Sequence, residues 1–147
     1  MTTTEMISLF AVLTALGALW WQIRQNTRQA RMQTFLAYTQ RYQDIMASLP
    51  ISIESDDFSL DTLEAEEKES ALRWIRAYYD LCSEEFYLKE QHLVDAAVWH
   101  LWESGMTDSL RKPAFRQAWK IIQANEYYAR EFAHHVERIQ GADMGSA

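Results

Sequence analysis

From Met6 to Ile23 the chain runs without a charged residue, reading Met-Ile-Ser-Leu-Phe-Ala-Val-Leu-Thr-Ala-Leu-Gly-Ala-Leu-Trp-Trp-Gln-Ile. A helix of that length rises about 27 Å at 1.5 Å per residue, close to the thickness of one hydrocarbon core. The pattern predicts a single transmembrane helix over residues 1–23, counting the short polar lead. Trp20 and Trp21 fall where indole rings favour the headgroup layer, and Arg24, Arg28 and Arg31 follow directly. Arginines so placed stay on the cytoplasmic side, which directs the remaining chain into the cytoplasm. The expected setting is the inner membrane of a bacterium, crossed once. Ala15-Leu16-Gly17 would suit cleavage of a secretory signal, but Met1 to Glu5 lacks the Lys or Arg that such a signal carries. A buried soluble helix would not ordinarily end in a Trp pair and three arginines.

One face of this segment differs from the rest. Ser8, Ala11, Ala15, Ala18 and Gln22 recur at alternating steps of three and four, and Gln25 and Gln29 continue the row past the apolar stretch. That is the spacing of a helix-packing seam. Small residues let transmembrane backbones approach, and a glutamine on such a seam can bond across it. The row predicts a homo-oligomer assembled through the anchor.

Helical periodicity continues beyond residue 24. No Pro or Gly interrupts Trp20 to Leu49, and Met32, Phe35, Leu36, Tyr42, Ile45 and Leu49 form an apolar stripe ending at Pro50. A polar loop, Ile51 to Ser59, leads to a helix starting near Asp61 or Thr62 and ending near Gln91. Its buried side is Leu63, Ala71, Trp74, Ile75, Tyr78, Leu81, Cys82 and Phe86. The segment His92 to Lys112 places Val94, Ala97, Val98, Leu101 and Trp102 at helical spacing, with a break expected at Gly105. Pro113 suits a first helical turn. From it one helix is expected to run to Gln140, carrying Phe115, Ala118, Trp119, Ile122, Ala129, Phe132, Ala133, Val136 and Ile139 inward. The expected architecture is all-α: the anchor continuing into a bundle of about four helices over residues 24–140, then a loose tail over 141–147.

Composition supports this picture. Four Gly and two Pro in 147 residues favour long helices over a turn-rich sheet protein. The lone Cys82 excludes a disulfide framework and a cysteine-based metal cluster. Charge narrows the partners. Arg24 to Met46 carries four arginines against Asp44, whereas Glu54 to Gln91 carries twelve acids against Lys68, Arg73, Arg76 and Lys89. The first block can meet anionic lipid phosphate and the second repels it. No basic face of the kind that supplies nucleic-acid affinity is evident, so nucleic acid is not an expected partner. The lipid bilayer, further copies of the chain and an unidentified protein are the expected partners.

Residues able to do chemistry are sparse. Arg130 and His135 match the Arg-x4-His pattern of the HEPN ribonucleases, in which the pair activates a ribose hydroxyl. Five steps leave the two side chains about 140° apart on a regular helix. They would converge only at a helix start or kink, and the sequence near Arg130 signals neither. Glu131-x-x-His134 is half of a di-iron carboxylate motif without a second copy. Glu131, His134, His135 and Arg138 project opposite the apolar stripe and read as an exposed polar patch. His100 reads as a packed histidine. No metal site and no cofactor is expected.

Leu93-Val-Asp-Ala-Ala-Val-Trp99, Trp102-Glu-Ser-Gly105-Met, Leu110-Arg-Lys-Pro113-x-Phe115-x-x-x-Trp119, then Tyr127 or Tyr128 and Phe132, carry a resemblance. They resemble a broad bacterial family of uncharacterised single-span membrane proteins with a small helical domain. That architecture is similar to the membrane accessory of type VI-B CRISPR systems, which forms a ring-shaped pore and carries an Arg-x4-His sequence that Arg130 and His135 would match. The resemblance implies an oligomeric pore in antiviral defence as one alternative. A membrane-anchored scaffold needing no catalytic residue, and a metal-independent ribonuclease, are the others.

Overall fold

A computed structural model describes residues 2–125 and 128–141. Helix α1 spans Thr3–Ala47, α2 Ala65–Glu90, α3 Ala96–Leu110, α4 Pro113–Asn125 and α5 Arg130–Gly141, with short 3-10 turns at Ile51–Glu54 and Leu60–Thr62. Among the described residues there is no strand, and the fold is all-α as expected. The chain divides into two compact units, Met1–Ala37 and Tyr38–Ala147.

The first unit is helix alone. Thr2 and Glu5 form a capping box: the Thr2 N–H donates to Glu5 Oε2 at 2.7 Å, and the Glu5 N–H donates to Thr2 Oγ1 at 3.4 Å. Thr14 and Thr27 return their hydroxyls to the carbonyls of Phe10 and Ile23 at 3.0 and 2.9 Å. Neither hydroxyl therefore needs water. The large apolar side chains from Met6 to Ile23 are exposed, from Leu9 at 51% to Phe10 at 71%.

The second unit holds the core, and Tyr79 of α2 stands at its centre. The Tyr79 ring lies 4.7 Å from Trp119 of α4, and its hydroxyl donates to the Phe115 carbonyl at 2.9 Å. Gln140 of α5 donates to that same hydroxyl at 3.0 Å and to the Leu110 carbonyl of α3 at 3.1 Å. One phenol thus joins α2 to α4 and α5, and through Gln140 to α3, while the Trp119 Nε1–H beside it is buried without a hydrogen-bond partner. Trp119, Tyr128 and Phe132 extend the aromatic cluster at centroid distances of 5.4 to 6.3 Å. The loop after α1 is pinned rather than merely polar, because Ile53 and Leu60 are buried and Gln117 accepts the Leu60 N–H at 2.8 Å. At the end of α2 the Leu93 N–H reaches back to Leu88 and the His92 N–H to Lys89. These two bonds make a Schellman cap with His92 in the left-handed region at φ 56°.

Several expectations are corrected. Helix α3 passes through Gly105 without a break, since that glycine keeps helical torsions. The long final helix is two helices, with α4 ending at Asn125 and α5 starting at Arg130. The turn at Leu60–Thr62, capped by Ser59, delays the start of α2 to Ala65. Ala97, His100, Leu101 and Ala129 are exposed, and so are Met32 and Leu36, which do not join Ile45 and Leu49 in the core. Tyr127 and residues 142–147 of the expected tail lie outside the described residues.

Two substitutions test the backbone reading. His92→Gly relieves a left-handed residue, and a Cβ at Gly105 would meet nothing within 4 Å, so Gly105→Ala adds helix propensity without a clash. Each is expected to stabilise by about 0.5–1 kcal/mol and raise Tm by a few degrees in detergent, followed by circular dichroism. A lowered Tm for Gly105→Ala would contradict the continuous α3.

Candidate functional site

Two features stand out, one in each unit. In the first, α1 contains an apolar window long enough to cross a membrane, and none of that window is buried. Ser8, Ala11, Ala15, Ala18, Gln22, Gln25 and Gln29 are all exposed on this one helix. Trp20 and Trp21 are 58% and 61% exposed at the end of the window, and the Arg24 guanidinium stacks 5.3 Å from the Trp20 ring one turn earlier. Arg24 and Arg28 flank Trp21 and Gln25 in a shallow groove, and Arg31 follows on the same exposed helix. No acidic residue occurs between Glu5 and Asp44. The segment therefore presents an apolar cylinder closed by an aromatic and cationic collar, the order of groups found from hydrocarbon to headgroup.

In the second unit, α2, α3 and α5 enclose a recess of about 260 Å³ around His135. Its walls are Phe86 and Trp99, with rings 5.0 and 5.9 Å from the imidazole. The Lys89 ammonium stands over both rings at 5.6 and 5.7 Å, and Glu90, Glu103, Glu131, His134 and Arg138 complete the lining. His135 is only 4% exposed, which corrects its expected place on an exposed polar patch. Its Nδ1 lies 2.6 Å from Arg138 Nη2. A guanidinium can only donate, so Nδ1 carries the lone pair and the ring proton sits on Nε2. That Nε2–H is buried without a partner. Burial, then the adjacent Arg138, holds the imidazole below its ordinary pKa. Neither ring nitrogen thus offers a lone pair to a substrate.

Arg130 opens α5, which corrects the expectation that no helix start lies near it. The pair still does not meet. Arg130 is exposed, does not line the recess, and shares no hydrogen bond with His135 among the described residues. The arginine that touches His135 is Arg138. Among the described residues no cluster of three or more His, Cys, Asp or Glu is placed to hold a metal ion.

No protein-family model, curated protein or solved structure matches this chain. Its own residues must supply the functional argument.

Sequence periodicity missed one further group. Glu85 of α2 is 5% exposed, and burial pushes its carboxyl up to about 8, with Arg41 opposing the shift and Glu84 adding to it. The neighbouring Glu84 behaves oppositely. Arg41 grips it with both guanidinium nitrogens at 2.5 and 3.1 Å, and this pairing lowers its pKa. The Arg41–Glu84 pair is half exposed and fastens the last turns of α1 to α2 with modest energy. An acid three steps after the expected inward position Cys82 and one before Phe86 was the available signal for Glu85, and periodicity alone gives it no weight.

Stability should follow these two buried groups. The raised Glu85 pKa contributes stability below about pH 4.5 that is lost as pH rises through about 8. Glu85→Gln should remove that loss and leave the helical unit more stable than the parent at pH 8.5, by on the order of 2–4 kcal/mol, with little difference at pH 4. The lowered His135 pKa works the other way, since its contribution is present above the ordinary value and is lost on acidification. Denaturant melts of both chains across pH read the difference. Parallel pH profiles would refute the buried-acid assignment.

Proposed function

We propose that the chain is a membrane-anchored helical interaction protein, held by α1 in a bacterial inner membrane with its acidic helical unit in the cytoplasm, and acting as a scaffold rather than an enzyme. The observation that carries this reading is the uncovered apolar window of α1. A core helix would be covered by its own chain, and here none of the window is. Hydrocarbon is the solvent that such a surface fits, and Trp20, Trp21, Arg24, Arg28 and Arg31 supply the interface on one side only. The seam from Ser8 to Gln29 supports self-association within the membrane. The acidic surface of the second unit is suited to a protein partner with a basic face and unsuited to nucleic acid.

The test is extraction. Full-length protein expressed in bacteria should remain in the membrane pellet after an alkaline carbonate wash, with an intact mass that retains residues 1–23. Leu13→Arg places a charge near the middle of the span at a cost of about 3 kcal/mol and should shift the chain out of that pellet. Release of the parent chain by carbonate, or a mature form beginning after Gly17, would overturn the reading.

A further inference from the structure

Met32 and Leu36 are 57% and 56% exposed, although both are large and apolar and both lie beyond the arginine collar, where the helix enters water. Their positions are not arbitrary. Every seventh residue from Ser8 passes through Ala15, Gln22 and Gln29 and arrives at Leu36. Every seventh residue from Ala11 passes through Ala18 and Gln25 and arrives at Met32. The two rows interleave at steps of three and four along one uninterrupted helix, and every member is exposed. A straight helix drifts about 20° per heptad against such a repeat. The rows stay on one side over four heptads only if the helix supercoils left-handedly about another.

We propose that these rows are the contact surface for a second copy of this chain, forming a parallel coiled coil that begins among small residues inside the membrane and continues through Met32 and Leu36 in water. The proposal rests on the membrane-anchored reading, which fixes direction: copies inserted the same way meet parallel and in register. Each residue then faces its own counterpart. Ser8, Ala11, Ala15 and Ala18 let the backbones approach in lipid, where close packing rather than hydrophobicity holds helices together. Gln22, Gln25 and Gln29 pair amide to amide at the membrane boundary, which penalises any slipped register. Met32 and Leu36 supply apolar knobs where water again drives burial. The charges are compatible with this pairing. Arg24 and Arg31 sit well around the helix from the midline of the two rows, and Arg28 flanks them one residue before Gln29, so none of the three cations lies in the contact itself. No acidic or basic residue occupies either row.

The experiment uses the full chain in its native membranes. Cys82 is buried and is the single cysteine, so it provides a silent background. Met32→Cys and Leu36→Cys sit on the contact surface, and Thr27→Cys sits on the opposite face. Mild copper-phenanthroline oxidation should yield homodimer at Met32→Cys and Leu36→Cys about ten-fold above Thr27→Cys, because a disulfide needs the two Cα atoms within about 7 Å. Adding Leu36→Glu to Met32→Cys should abolish most of that dimer. Carbonate-resistant protein with equal cross-linking at all three positions, or with none, overturns the coil and leaves the anchor standing. A cross-linked band whose mass is not twice that of the chain also overturns it. Release by carbonate counts against the anchor instead.

Discussion

Each large apolar side chain moved from water to an apolar environment releases about 1.5–3 kcal/mol, and α1 holds a continuous run of them that its own chain leaves uncovered. The sum is on the order of tens of kcal/mol, larger than the whole net stability of a typical domain. In the proposed reading the apolar run is satisfied from outside, by lipid, by copies of itself, or by both. The core of the second unit is complete without it. Its aromatic cluster and the Tyr79–Gln140 bonds close on residues that all follow Tyr38. In that reading the chain separates two folding problems that are solved in different solvents.

What could be read in advance follows from how far a given signal reaches along the chain. The apolar run, the row of small and amide residues and the Trp-Arg cluster after it are local patterns, visible residue by residue. The limits of α2 were nearly legible because acids favour its first turn. The terminal left-handed position went to His92, which carries no glycine signal, but the helix could not run far past it in any case. The final helices were read wrongly for a specific reason. Carrying one helical phase from Pro113 to Gln140 centred the inward face near Val136, with Ala129 and Ala133 towards one edge. The break before Arg130 frees α5 to rotate, and the residues it buries are Phe132, His135, Val136 and Ile139. Their centre is turned by about 45° from the expected one, enough to carry His135 inside and leave Ala129 outside. Glu85 was missed by a related route, since burial is set there by what packs across α2 and not by the residue's own polarity.

The two buried ionisable groups explain why the recess at His135 looks like a site and behaves as structure. Burial behind the aromatic walls disfavours a charged imidazole, the Arg138 and Lys89 cations disfavour it further, and Arg138 fixes its tautomer. A histidine so held keeps its shape and gives up its reactivity. Glu85 keeps its proton for the same reason, so the interior of the unit is electrically quiet while its surface is strongly acidic. In the proposed reading that contrast would confine contact with anionic lipid to Arg24, Arg28 and Arg31.

Those arginines link the two halves of the proposed assembly. By holding one end of α1 on the cytoplasmic side they give every copy the same direction. Equal direction is the condition under which Ser8 meets Ser8, Gln22 meets Gln22 and Leu36 meets Leu36. In an antiparallel pair with the two spans overlaid, Met32 and Leu36 of the two copies would instead emerge on opposite sides of the bilayer and find no counterpart. The collar and the seam are thus one device. Charge sets the orientation, and orientation makes the heptad rows self-complementary.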